Sequence, residues 1–234
     1  MNLLALDTCT EACSVAFDDG IETRRRFLVT QRGHADRLLS MVAAVLADAR
    51  VNPSELTAVV FGRGPGSFTG VRIGVATAQG LAMAASCPVL PVSTLAAMAV
   101  GARRRFGGTR FAVALDARMG EVYWGQFDTD AGQARLLGEE RVCLPEARPA
   151  LGAGAWVGVG SGWIRYPDTL RHADDGALTV RAEHHFPDAR DMLTLARPML
   201  MSGGGVPAAA GHPTYLRDQV AIKQIQTERP NGPV

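Results

Sequence analysis

Short apolar runs separated by polar turns open the chain. One run ends at Asp7, a second ends at Phe17 before an Asp18-Asp19-Gly20 turn, and a third follows, so the first thirty residues read as a three-strand meander. The period then changes. "HADRLLSMVAAVLADA" sets Leu38, Leu39, Met41, Val42, Val45 and Leu46 at helical spacing, and Asn52-Pro53 ends that helix. A strand closing on glycine, "AVVFGRGPG", leads into a second helix from near Thr69 to about Ala85. Ser86-Cys87-Pro88 then turns the chain into a strand, and Ser93 caps a third helix, "STLAAMAV".

The same order recurs later. "FAVALDARMGEVYWGQFDTDAGQARLL" is an apolar run ending at Asp116, a turn at Met119-Gly120, a strand to Phe127 and an Asp/Gly turn. A weakly patterned helix is expected around "PEARPAL", followed by a strand closing on glycine, "AWVGVGSGW". The repetition predicts an α/β protein of two βββαβα-type lobes, residues 1–102 and a smaller 103–234, related by duplication with a cleft between them. The alternative is two unrelated α+β segments. Beyond Met201, residues 203–211 read as a flexible glycine-rich linker, "PTYLRDQVAIK" as a segment ordered by docking, and "QIQTERPNGPV" as an unstructured tail.

Charge narrows the function. Among 234 residues, 24 Lys+Arg stand against 23 Asp+Glu, so no global field holds nucleic acid or an anionic membrane, and any RNA role is shared with a partner. Lys223 is the only lysine, which excludes a GxxxxGK[ST] phosphate loop. The cysteines (Cys9, Cys13, Cys87, Cys143) form no CxxC pair, and the N-terminal sequence carries no signal-peptide pattern; the expectation is a cytoplasmic protein with reduced thiols. Residues 73–102 carry no charge, but Pro88, Pro91 and scattered polar residues fit helix, strand and helix better than a membrane span. His34, His172, His184, His185 and His212 form no HxxxH or HExxH pair, and no metal site is expected.

Two features could carry chemistry. In "GRGPGSFTGVRIGVATAQG", residues 62–80, Gly64 and Gly66 would let backbone approach a phosphate, and Ser67 and Thr69 could cap a helix whose N-terminus attracts anions. A tight strand-to-helix turn explains the same residues. Asp7, beside Thr8, and Asp116 each end the first strand of a meander; they could hold Mg²⁺ through water or act as a base, or simply cap the turns that follow. The second helix is apolar nearly all round, with Gly70, Gly74, Ala78 and Ala82 in a smooth ridge beside Val71. That ridge could pack within the lobe against the first helix. Alternatively it forms, with Leu38, Met41, Val42 and Val45, an apolar interface for another protein.

The blocks "LALDTCT", "GRGPGSFTGVRIGVATAQGLA", "VSTLAAMA", "ALDARMGEVYW", "GSGW" and "PTYLRDQVA" resemble, in order and over about residues 3 to 221, the bacterial TsaB (YeaZ) family. The resemblance implies the actin-like, Hsp70-like, sugar-kinase-like (ASKHA) fold. It also implies a non-catalytic partner of TsaD, joined by the small ATPase TsaE, with pairing through first-lobe helices. TsaD transfers a threonylcarbamoyl group to adenosine 37 of tRNAs reading codons that begin with A. By resemblance the chain has no catalytic residues, no metal and no cofactor of its own; ATP or ADP would enter only at the level of the complex, and the glycine loop is vestigial. Cys9 stands where the family commonly has serine, and Ser161 where it commonly has an acid. Self-pairing of the isolated chain, and contact of Arg103 to Arg105 with tRNA, stay open. The competing expectation is an independent ATP-dependent phosphotransferase using Asp7, Asp116 and the loop.

Overall fold

The computed structural model describes residues 1–217 apart from 131, 173–174, 182 and 184–185. The first half contains β1 (Leu3–Asp7), β2 (Ala12–Asp18), β3 (Thr23–Val29), α1 (His34–Ala49), β4 (Ala58–Gly62), α2 (Phe68–Ala85) and β5 (Val89–Val92). Its sheet runs β3-β2-β1-β4-β5, with β2 antiparallel to β1 and β3, and with β1, β4 and β5 parallel. β1 and β4 are uninterrupted apolar runs, buried along their whole length, as central strands covered on both faces must be. α1 and α2 cover one face, where Leu38, Val42, Val45, Val71 and Ala78 meet Leu6, Val15 and Phe61.

The second half repeats the plan. It contains α3 (Thr94–Phe106), β6 (Arg110–Arg118), β7 (Glu121–Asp130), β8 (Gln133–Leu136), β9 (Arg141–Cys143), β10 (Ala155–Val159), α4 (Ser161–Arg165), β11 (Ala177–Val180) and α5 (Ala189–Met201). The sheet order β11-β10-β6-β7-β8 places β6, β7, β8, β10 and β11 where β1, β2, β3, β4 and β5 stand in the first. The helices diverge. The helix expected around "PEARPAL" is only a single 3₁₀ turn, Pro145–Ala147, because a helix continuing through Pro149 would lose an N–H and meet the carbonyl one turn back. α5 is a helix beyond those expected, although Met192, Leu193, Leu195 and Ala196 stand at helical spacing; Asp188 caps it, its side chain accepting from the Arg190 N–H, and Pro198 lies in its last turn.

The closing helices exchange lobes. α3 lays Leu95, Met98, Ala99 and Ala102 against Phe111, Val113 and Phe127 of the second sheet. α5 places Met192, Leu195 and Ala196 against Leu3, Ala5 and Val60 on the second face of the first sheet. A boundary at 102/103 therefore falls inside α3, and each lobe includes a helix that follows the other lobe's sheet in sequence. Residues 203–211 differ from the flexible linker expected of them. Val206 and Val89 exchange backbone hydrogen bonds at 2.9 and 3.0 Å, and the Gln79 amide donates to the Gly211 carbonyl at 3.0 Å. The glycines there allow close approach to the sheet edge: a Cβ at Gly211 would stand 2.8 Å from Val89. Thr214, Tyr215 and Arg217 continue this strap; the docking expectation past residue 217 and the tail lie outside the described residues. Residues 73–102 resolve into α2, β5 and α3, and no described helix is long and apolar enough to cross a membrane.

Candidate functional site

The two aspartates end their strands in matching turns. Asp7 Oδ1 accepts the Cys9 N–H at 2.9 Å, and Asp116 Oδ1 accepts the Arg118 N–H at 2.9 Å. Both therefore cap the turn two residues on. Their surroundings differ. Asp7 is buried, its Oδ2 accepting the Thr94 hydroxyl at 3.1 Å, and burial pushes its carboxyl up to about 6, with the nearby Asp188 adding to the rise. Asp116 lies on the wall of a cleft of about 770 Å³ between the lobes, where Arg118 ties it (3.2 Å) to Glu11 of the other lobe (3.1 Å). Asp7 does not line this cleft, so the two carboxylates do not face each other across it.

The glycine loop packs against the β1–β2 turn of its own lobe, and Thr8, Cys9 and Gly66 to Gly70 together line the cleft. A Cβ at Gly66 would run into the Cys9 carbonyl, one at Gly70 into the Thr8 carbonyl, and one at Gly74 would lie 2.8 Å from Thr8 Oγ1. The β1–β2 turn occupies this space and also uses the loop's polar groups. The Ser67 N–H donates to the Cys9 carbonyl at 2.7 Å, the Thr8 hydroxyl donates to the Gly70 carbonyl at 2.7 Å, and Ser67 Oγ accepts the Gly70 N–H at 3.4 Å. Gly64, with φ of 94°, needs to be glycine, and its carbonyl accepts the Thr94 N–H at 3.0 Å. Thr69 is exposed beside the cleft. At the rim, Arg72 stacks 3.7 Å over the Phe68 ring and donates to the Tyr215 hydroxyl at 2.9 Å.

The anticipated interface residues lie mostly inside the lobe. Leu38, Val42, Val45, Val71, Ala78 and Ala82 are core, Gly70 and Gly74 are buried, and Met41 is half-buried. This corrects the face: the smooth ridge of α2 lets the helix settle onto β1 and the Thr8 turn. The outward side instead carries Leu39 and Ala43 of α1, and Ala76, Gly80, Met83 and Ala84 of α2, all exposed. Because α2 is apolar nearly all round, periodicity did not distinguish its two faces.

Among the described residues no group of three or more His, Cys, Asp and Glu is placed to hold a metal; His184 and His185 lie outside them. Two connections join residues distant in sequence. Glu140 joins Arg63 (2.9 Å) to the Ser93 hydroxyl, and an arginine-lined pocket gathers Arg25, Arg104 and Arg190. The run Arg103 to Arg105 was the single hint of the latter.

Two lobes with one repeated strand order, exchanged closing helices and a cleft between them define a member of the actin-like, Hsp70-like, sugar-kinase-like class. The family model "TsaD: tRNA N6-adenosine threonylcarbamoyltransferase" matches residues 28–157. The chain is 43% identical over 230 residues to the tRNA threonylcarbamoyladenosine biosynthesis protein TsaB of Escherichia coli, covering 96% of this chain and 98% of that protein. It is 38% identical over 234 residues to the protein of the same name from Haemophilus influenzae, covering 96% and 97%. The crystallised YeaZ from Pseudomonas aeruginosa superposes with a TM-score of 0.86 at 44% identity, covering 92% of this chain and 99% of that one. The chain belongs to the TsaB (YeaZ) family.

Proposed function

We propose that this chain is a non-catalytic subunit that pairs with and activates a TsaD-type transferase. The complex would form N6-threonylcarbamoyladenosine at position 37 of tRNAs reading codons that begin with A, in the cytoplasm and with the small ATPase TsaE as a further partner. The observation that carries the reading is the burial of Asp7: it lies outside the cleft beneath a glycine loop that packs tightly on the Thr8–Cys9 backbone, so the two aspartates do not converge on one site. The chain then needs no cofactor of its own, and ATP or ADP would bind only between it and its partner. The names of the E. coli and H. influenzae relatives support the same pathway.

The partner face in this reading is the outward side of α1 and α2, where Leu39 is 57% and Met83 68% exposed among alanines and a glycine. Small residues let a facing helix approach closely, and in the partner's absence a second copy of this chain competes for the same surface. A Cβ at Gly80 meets nothing within 4 Å, so Gly80→Arg adds bulk to this face without disturbing the core, whereas an arginine at Gly74 would strike Thr8.

Light scattering on size-exclusion chromatography of the chain mixed with its cognate TsaD is expected to show a one-to-one heteromer, lost in Gly80→Arg while the urea midpoint is not lowered. Pairing that survives Gly80→Arg refutes the face. ATP turnover by the pure chain, abolished by Asp7→Ala, would overturn the non-catalytic reading.

A further inference from the structure

Away from the cleft, separate stretches of chain bring arginines to one place. β3 supplies Arg25, the last turn of α3 supplies Arg104 and Arg105, and the first turn of α5 supplies Arg190; together with Phe27 and Phe186 they line a pocket of about 320 Å³. Arg181, just past β11, joins the group through Phe106: its guanidinium lies 5.4 Å from that ring's centroid, and that of Arg105 lies 5.0 Å from it.

The guanidinium groups are held in place. Arg25 stacks 4.6 Å over Phe27 and approaches Asp188 at 2.7 Å, and Arg104 grips Asp191 with two hydrogen bonds of 2.8 and 3.1 Å. A guanidinium fixed on a ring or on a carboxylate keeps its remaining N–H edges pre-oriented for a further planar or tetrahedral oxyanion. Arg190 Nε is buried and, among the described residues, meets no acceptor; Arg25 Nε, despite its closeness to Asp188, is not aligned for a hydrogen bond. Buried donors without acceptors are costly, which leaves the cluster's hydrogen bonding incomplete among the described residues.

Charge points the same way. Arg25, Arg104, Arg105, Arg181 and Arg190 face Glu183 on the rim, with Asp188 and Asp191 beneath at 11% and 1% side-chain exposure. Five cations against three anions leave a local excess of two in a chain whose whole net charge is +1. Arginines spread over several segments suit a polymer of phosphates.

We propose that this arginine cluster binds the phosphodiester backbone of RNA. The identification of that RNA as the tRNA presented to the catalytic partner rests on the function proposed above. The guanidiniums contribute affinity and orientation, and sequence is read elsewhere.

The test titrates a fluorescently labelled tRNA transcript, with an anticodon reading a codon that begins with A, against both the isolated chain and the heteromer, by anisotropy over a range of KCl concentrations. Arg105→Glu combined with Arg181→Glu reverses two charges and leaves Arg25 and Arg104, which hold the buried Asp188 and Asp191, in place. Expected are unchanged pairing by light scattering, tRNA affinity lowered on the order of tenfold, and a log–log salt slope shallower by about two. Arg105→Lys with Arg181→Lys, which keeps the charge, restores the slope. Unchanged affinity and slope in the Glu variant overturn the proposal, as does a loss seen only when pairing is also lost. Failure of the wild-type chain to pair would instead sink the scaffold reading. The isolated-chain titration then decides the site alone, through salt-dependent binding that the Glu variant either abolishes or leaves intact.

Discussion

Asp7→Asn tests the charge buried between β1 and α3. Burial moves the folded carboxyl up to about 6 from its ordinary 3.8, and the hydrogen bonds from the Cys9 N–H and the Thr94 hydroxyl offset only part of the burial effect. The native chain holds this proton more tightly than the unfolded chain does. Its contribution to stability is therefore complete below 3.8 and is lost as the pH rises through 6. At 1.36 kcal/mol per pH unit the loss totals about 3 kcal/mol, of which about half falls between about pH 5 and about pH 7.5. Asparagine has the same shape without the charge: its oxygen still accepts from Cys9, and its amide can donate to the Thr94 oxygen. Urea unfolding is expected to show the variant more stable than wild type at about pH 7.5, with the gap narrowing by about 1 kcal/mol at about pH 5. The cost of exchanging one hydrogen-bond donor is common to both conditions and cancels. A gap independent of pH, or one that widens toward acid, would refute the argument that ionised Asp7 is destabilised by burial.

Two further perturbations read the packing. In α2, Gly70→Ala would drive a methyl into the Thr8 carbonyl and is expected to cost about 2–3 kcal/mol, whereas Gly80→Ala meets open space and is expected to add about 0.5–1 kcal/mol through helix propensity. Equal urea midpoints for the two variants would show that the β1–β2 turn yields freely. In the second lobe Arg148, fully buried, pairs with Asp175, donates to the Leu170 carbonyl at 2.9 Å and lies 5.0 Å from the Trp124 centroid. Arg148→Ala leaves Asp175 without its buried partner and is expected to cost about 3–5 kcal/mol by urea unfolding. A cost below about 1 kcal/mol would mean that water replaces the guanidinium.

The repeated motifs carried the family and the duplication, and local pattern carried most of the elements. The runs ending at Asp7 and Asp116, the α1 stripe and the caps at Ser67 and Ser93 are set by neighbours in sequence, so hydrophobic period and turn chemistry suffice to read them. α5 was legible though not among the expected helices, since the Asp188 cap and Met192, Leu193, Leu195 and Ala196 at helical spacing all precede Pro198; the strap at 203–211 escaped because glycine and proline signal freedom whether or not a sheet edge is there to bind them. The sense of the α2 ridge, the sealing of Asp7 beneath the glycine loop and the gathering of Arg25, Arg104 and Arg190 depend on elements far apart in the chain. Composition and spacing made a phosphate loop and a turn equally good readings of residues 62–80. Only tertiary packing shows that the glycines at 66 and 70 are also required by the fold, because two pieces of backbone cannot share a volume and the Thr8–Cys9 turn fills the space a Cβ there would need.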